Sequence, residues 1–139
     1  MKVLLDSNVW VSALVARGLC ADLLRVALLR HGLAGFELLL SDAVRSETLR
    51  ILRDKFKATE AGLDAARAAM ALAREVAQGD WQPPAAFPDP DDVVIVGAAL
   101  AAGADLLVTG DKALLELGII EGLPIIAPRT AYERLRGLA

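Results

Sequence analysis

The chain has 139 residues, a formal net charge of −3, 55% hydrophobic and 24% charged residues, which excludes a disordered polymer and is enough to build one self-sufficient core. A single cysteine, Cys20, and a single histidine, His31, exclude a disulfide framework, a multi-cysteine zinc site and most histidine relays. Asp6 interrupts the apolar start too early for a secretion signal, and no apolar run reaches the ~18 residues of a membrane span. A soluble, cytoplasmic protein is expected, with residues 1–139 forming one domain and no membrane partner.

In chain order, the apolar run at residues 2–6 reads as a buried strand. Residues 9–17 and 21–30 read as helices parted near Gly18, the second with Leu23, Leu24, Ala27 and Leu28 at helical spacing. Gly32 and Gly35 bracket a turn before a second strand at residues 36–40. Ser41 or Asp42 then offers an N-cap for a helix to about Lys57. A long helix is expected from Thr59 to about Gln78, with an inner face of Leu63, Ala66, Met70, Ala73 and Ala77 and a stop at Gly79.

Residues 81–90 hold four of the six prolines and exclude extended regular structure. Trp81 in this stretch either anchors the loop or stacks on a base. Asp91 or Asp92 caps a helix over residues 93–102 that carries no charge and is expected to be buried all round. A third strand at 105–109, a short helix at 112–117, a fourth strand at 124–127 and a last helix at 130–138 complete the chain. Strands that are continuous apolar runs alternating with helices imply a mainly parallel sheet covered on both faces, a three-layer α/β/α fold.

The charge is unevenly spread. Five basic residues (Arg45, Arg50, Arg53, Lys55, Lys57) face two acids over residues 45–57, whereas residues 80–92 hold four Asp and no Lys or Arg. Such a chain can hold a cation in one region and a polyanion in the other, although a salt-laced helix face and a polar loop account for the same pattern.

Ligands of open parallel sheets sit outside the carboxyl ends of the strands. Asp6 ends the first strand, and Asp111 lies just past the third. Asp92 opens the uncharged helix, and Glu47 shares a helix face with Val44 and Ile51, so its carboxylate points partly inward. Carboxylates converging without a basic partner raise one another's pKa values, and a divalent cation relieves that repulsion. Oxygen-only ligation suits Mg²⁺ or Mn²⁺, ions used in two-metal phosphodiester hydrolysis. Ordinary roles compete: Asp92 as an N-cap, Asp111 as a turn acceptor, Glu47 as a partner of Arg50. Asp6 is the hardest to explain away, because a carboxylate finishing a buried strand needs a partner or an ion.

Leu5-Asp6-Ser7-Asn8-Val9 resembles the opening motif of PIN domains, and residues 41–52 around Glu47 resemble their second. Pro88-Asp89-Pro90-Asp91-Asp92-Val93 and the residues up to Ala99 are similar to the third motif, and Leu107-Val108-Thr109-Gly110-Asp111-Lys112 to the fourth. The variants look most like PIN proteins described as toxins of toxin–antitoxin pairs. The resemblance implies a Mg²⁺- or Mn²⁺-dependent endoribonuclease with Asp6, Glu47, Asp92 and Asp111 as an acidic quartet. Asp6 would be the central ligand and Asp92 its companion, with Asp91 competing for that role. Asp111 would hold a second metal or its water, Glu47 would complete the ring or position the nucleophile, and Asn8 and Thr109 would orient the carboxylates. Arg45, Arg50 and Lys112 are the candidate contacts to RNA phosphates.

Two other classes also place Asp at a strand end. A haloacid-dehalogenase phosphatase needs a second Asp where Asn8 stands, and a response-regulator receiver needs an acidic pair and a mid-chain phosphoacceptor that this chain lacks. The remaining alternative is a PIN-like protein-binding module with a quiescent site. An antitoxin or a second copy of the chain could use apolar surface such as Leu14, Leu24, Leu28 and the small-residue face of residues 63–77, although core packing is the better account of the same residues.

Overall fold

The computed structural model describes residues 1–85 and 87–137. Its elements are β1 (Lys2–Leu5), α1 (Ser7–Val15), α2 (Leu19–Arg30), β2 (Glu37–Ser41), α3 (Asp42–Asp54), α4 (Glu60–Met70), β3 (Arg74–Val76), α5 (Pro90–Ala101), β4 (Leu106–Val108), α6 (Lys112–Leu117), β5 (Ile119–Ile120), β6 (Leu123–Ile126) and α7 (Pro128–Arg136). The strands form one sheet in the order β3-β2-β1-β4-β6-β5. β1, β2, β3, β4 and β6 run parallel, and β5 pairs antiparallel with β6. The expected three-layer α/β/α architecture is borne out. Among the described residues, no helix is long and apolar enough to cross a membrane.

Continuous apolar sequence makes the central strands: Val3, Leu4 and Leu5 of β1, Leu38, Leu39 and Leu40 of β2, and Leu107 and Val108 of β4 are fully buried, as strands covered on both faces must be. Helix starts follow the capping chemistry. Ser41 accepts from the Val44 N–H at 3.2 Å, and Thr59 accepts from the Gly62 N–H at 3.1 Å, each satisfying an otherwise orphaned donor. Leu24, Leu63, Ala66 and Met70 belong to the core, so these residues are not free for a partner; Leu14 and Leu28 pack against it half-buried.

Several expectations need correction. The long helix over residues 59–78 ends at Met70, and Arg74–Val76 is instead an edge strand, with Leu39 opposite Arg74 and Ser41 opposite Val76. Ala73 and Ala77 therefore belong to no helix face. Pairing with the open edge of β2 overrides the helix propensity of this Ala-rich stretch, and the Arg74–Glu37 and Arg45–Glu75 ion pairs, at 2.6 and 2.7 Å, brace it. The uncharged helix starts at Pro90 rather than Val93 and is capped by Asp89, not by Asp91 or Asp92. It is also not buried all round, since Ala101 is exposed. The two-residue strand β5 adds to the expected strands and was too short to read as a period. Helix α1 starts at Ser7 and α7 at Pro128, and the expected end of the last helix, Leu138, lies outside the described residues.

Candidate active site

The site grows from the carboxyl end of β1. Asp6 leaves the strand and becomes the N-cap of α1, its Oδ1 accepting from the Ser7 N–H at 2.7 Å. Its Oδ2 accepts from the Thr109 hydroxyl at 2.8 Å and from Asn8 Nδ2 at 3.2 Å. Asp6 is 3% exposed. Desolvation therefore raises its pKa above the ordinary carboxylate value; the Thr109 and Ser7 hydrogen bonds oppose that rise, while Glu47 and Asp111 add to it.

The neighbouring strand β4 supplies the other half of this network. Asn8 donates to Thr109 Oγ1 at 3.2 Å and accepts from the Gly110 N–H at 2.9 Å. The Thr109 oxygen also accepts from the Asp111 N–H at 3.0 Å. Asn8 and Thr109 thus stitch the end of β1 to the turn that carries Asp111, which itself caps α6 by accepting from the Ala113 N–H at 3.2 Å. Glu47 comes from the second turn of α3. Its carboxylate accepts from the Ser7 hydroxyl at 2.9 Å, so it turns toward the β1 end rather than pairing with Arg50.

These groups wall a cavity of about 640 Å³ at the carboxyl ends of the parallel strands. Asp6, Glu47, Asp89, Asp92 and Asp111 all line it, together with Ser7, Asn8, Cys20, Ile51 and Pro128, and among the described residues no Lys or Arg does. Asp92 carries the consequence: desolvation first, then the charges of Asp6, Asp89, Asp111 and Glu47, push its carboxyl up from 3.8 to about 7. Asp91, its competitor in the sequence, is exposed and does not border the cavity.

The carboxylate oxygens that dominate the lining fit Mg²⁺ or Mn²⁺, and with Cys20 the one sulfur among the described lining residues they would suit a soft metal poorly. Among the described residues, no three acidic, His or Cys side chains close on a single point. The acids ring the space instead, an arrangement suited to a cation held by one or two carboxylates with retained waters, as Mg²⁺ prefers.

Asp89 and Ser7 are absent from the sequence-derived set. Asp89 could have been found from its position before Pro90, because proline at the first helical position makes its predecessor the cap; its side chain accepts from the Asp91 N–H at 2.9 Å. Nothing in the sequence marks Ser7 as the bridge from Asp6 to Glu47 across forty residues. Of the basic candidates, Arg45 is drawn to Glu75 at 2.7 Å and Asp42 at 3.5 Å. Arg50 and Lys112 are exposed and lie outside the cavity wall.

A mainly parallel sheet covered on both faces, with carboxylates gathered beyond its strand ends, defines an α/β protein whose candidate site lies where ligands of such sheets bind. The family model described as PIN domain matches residues 2–113, and the chain belongs to the PIN-domain family. PIN domains are in general metal-dependent nucleases and bind RNA. No curated protein matches the chain.

Proposed function

We propose that the protein is an endoribonuclease dependent on Mg²⁺ or Mn²⁺, with Asp6 and Asp92 as the principal metal ligands. Asp111 and Glu47 hold a second ion or the waters around it. The carrying observation is that five carboxylates line one cavity with no Lys or Arg in its wall among the described residues, an arrangement whose mutual repulsion a divalent ion would relieve. A bound ion supplies Lewis-acid activation of water and neutralises charge at the phosphate.

The chain's own residues do the positioning. Thr109 and Asn8 hold the Asp6 carboxylate, and Ser7 holds Glu47 beside it. Water adds to phosphorus and the bond from phosphorus to the ribose 3′ oxygen breaks, leaving a 5′-phosphate and a 3′-hydroxyl. Arg50 and Lys112, outside the cavity wall, contact the flanking phosphates, which positions the strand without reading its sequence.

The toxin role is supported by the Asp-Pro-Asp-Asp and Thr-Gly-Asp-Lys variants of the third and fourth motifs. An apolar groove lined by Leu14, Val15, Leu52 and Phe56, with Val15 41% and Phe56 45% exposed, supports an antitoxin peptide or a second copy as partner. Sedimentation as a monomer at tens of micromolar removes the second copy.

The decisive experiment incubates mixed-sequence single-stranded RNA with the protein in Mn²⁺, Mg²⁺ or EDTA, beside an Asp6→Asn variant. Cleavage that requires metal and disappears in the variant supports the nuclease. Cleavage that survives Asp6→Asn comes from a contaminant. No cleavage and no Mn²⁺-dependent rise in melting temperature returns the chain to a quiescent binding module.

A further inference from the structure

The connection between β3 and α5 carries Asp89 and leads directly into Asp92 at the start of α5, and it is pinned at two points before them. At Gly79, where φ is +74°, the backbone passes so close to α5 that an added Cβ would lie 2.8 Å from Ala101 Cβ and 3.1 Å from the Gly97 carbonyl oxygen. Gly97 is approached in return, with Gln78 O and Trp81 Cβ each 3.4 Å from the place its own Cβ would take. Trp81 then donates its indole N–H to the Glu121 carboxylate in the β5–β6 turn. Its ring also meets Phe87 edge-on, with centroids 5.4 Å apart. Two residues beyond Phe87, Asp89 caps α5 and, with Asp92, reaches the cavity.

Glu121 occupies a position its backbone disfavours. The β5–β6 hairpin turns through Glu121 and Gly122, with φ of 47° and 84°. Two-residue turns with positive φ at both positions select Asn, Asp or Gly. A glutamate is uncommon at such a φ, and its carboxylate accepts the Trp81 indole N–H.

We infer that Trp81 and Glu121 are positioning residues for the acidic site, tying the β3–α5 connection to the β5–β6 hairpin so that Asp89 and Asp92 stand at the cavity wall. Neither residue borders the cavity, so both act through the two aspartates. The inference rests on the reading of that cavity as a divalent-cation site.

Two variants of the full chain separate positioning from folding. Glu121→Asn gives the turn a residue it prefers but shortens the acceptor, whereas Glu121→Gln keeps both reach and an acceptor oxygen. Mn²⁺ binding is read from the electron paramagnetic resonance signal of the free ion, and the unfolding midpoint is measured in EDTA. Glu121→Asn is expected to unfold no earlier than wild type yet bind Mn²⁺ about tenfold more weakly, as loss of an outer supporting group does. Glu121→Gln is expected to restore most of that affinity. Unchanged Mn²⁺ affinity in Glu121→Asn overturns the inference, and so does a parallel loss of midpoint and affinity, which marks a merely structural contact. Wild type that binds no Mn²⁺ overturns the cation reading beneath it as well.

Discussion

Thr109 at the end of β4 donates its hydroxyl to Asp6 at the end of β1, a 2.8 Å bond between residues 103 apart in sequence. The same oxygen accepts from Asn8 Nδ2 and from the Asp111 N–H, at 3.2 and 3.0 Å. A hydroxyl has one donor and two acceptor lone pairs, and this fully buried one uses all three. One atom therefore aims the central carboxylate, holds the asparagine and fixes the turn that carries Asp111.

Replacing Thr109 with valine keeps the shape and removes every one of those bonds. Leaving buried groups unpaired costs about 1–3 kcal/mol, and metal affinity falls by about tenfold when an orienting partner is lost. Thr109→Ser keeps the hydroxyl and is expected to retain most of both. Urea unfolding and Mn²⁺ titration of the two variants check this; a Thr109→Val protein with wild-type Mn²⁺ affinity would remove Thr109 from the site's supporting network.

The metal-free protein should lose stability as pH rises. The Asp92 carboxyl is raised from 3.8 to about 7, by desolvation first and then by Asp6, Asp89, Asp111 and Glu47, and Asp6 is shifted in the same direction. An acid whose folded pKa lies above its unfolded value makes the folded state bind the proton more tightly, so the contribution is present at low pH and is lost through that window. Melting temperature in EDTA is expected to fall between pH 5 and pH 8, and Asp92→Asn to flatten the fall. A divalent cation favours the ionised carboxylates and stabilises more at pH 8 than at pH 5. A wild-type profile that is flat or rises in EDTA contradicts the assigned repulsion.

The alternation of apolar runs with helical segments was enough to place β1, β2, β4 and β6, because strands covered on both faces need no polar alternation. Asp6 and Asp111 are legible from their places at strand ends and Glu47 from its helix face, whereas Asp92 joins them, ahead of Asp91, only through the motif resemblance. What escaped was decided by tertiary contacts. Arg74–Val76 carries no strand pattern, since two of its three residues are exposed and only the free edge of β2 makes it a strand. Asp89 is readable from Pro90 as a cap but not as part of the cavity wall, and the partner of Ser7 stands forty residues away.

The basic candidates on α3 should separate. Arg50 is exposed and in no ion pair among the described residues, so Arg50→Ala is expected to weaken RNA binding while leaving Mn²⁺ affinity unchanged. Arg45 is committed to Glu75 and Asp42. Its replacement should cost the β3 edge no more than about 1 kcal/mol, the ordinary worth of an exposed pair, and should leave RNA affinity near wild type. Filter binding at two salt concentrations distinguishes them. A larger loss of RNA binding in Arg45→Ala than in Arg50→Ala would place the RNA path along the β3 edge instead.

Gly79→Ala is the sharpest test of how closely the β3–α5 connection is packed. The added methyl would meet Ala101 Cβ at 2.8 Å and the Gly97 carbonyl at 3.1 Å, on a backbone already at φ +74°. Neither obstacle is the end of a flexible side chain, so the backbone itself must move. Overpacking of this kind costs about 1–3 kcal/mol, and the left-handed conformation adds to it. Because α5 carries Asp92 at its start, the shift should reach the cavity as weaker Mn²⁺ binding. Gly103→Ala is the control: its φ is +68° and nothing lies within 4 Å of an added Cβ, so it carries the backbone strain without the collision. Unfolding midpoints that fall equally in the two variants would mean the connection has room to yield at Gly79.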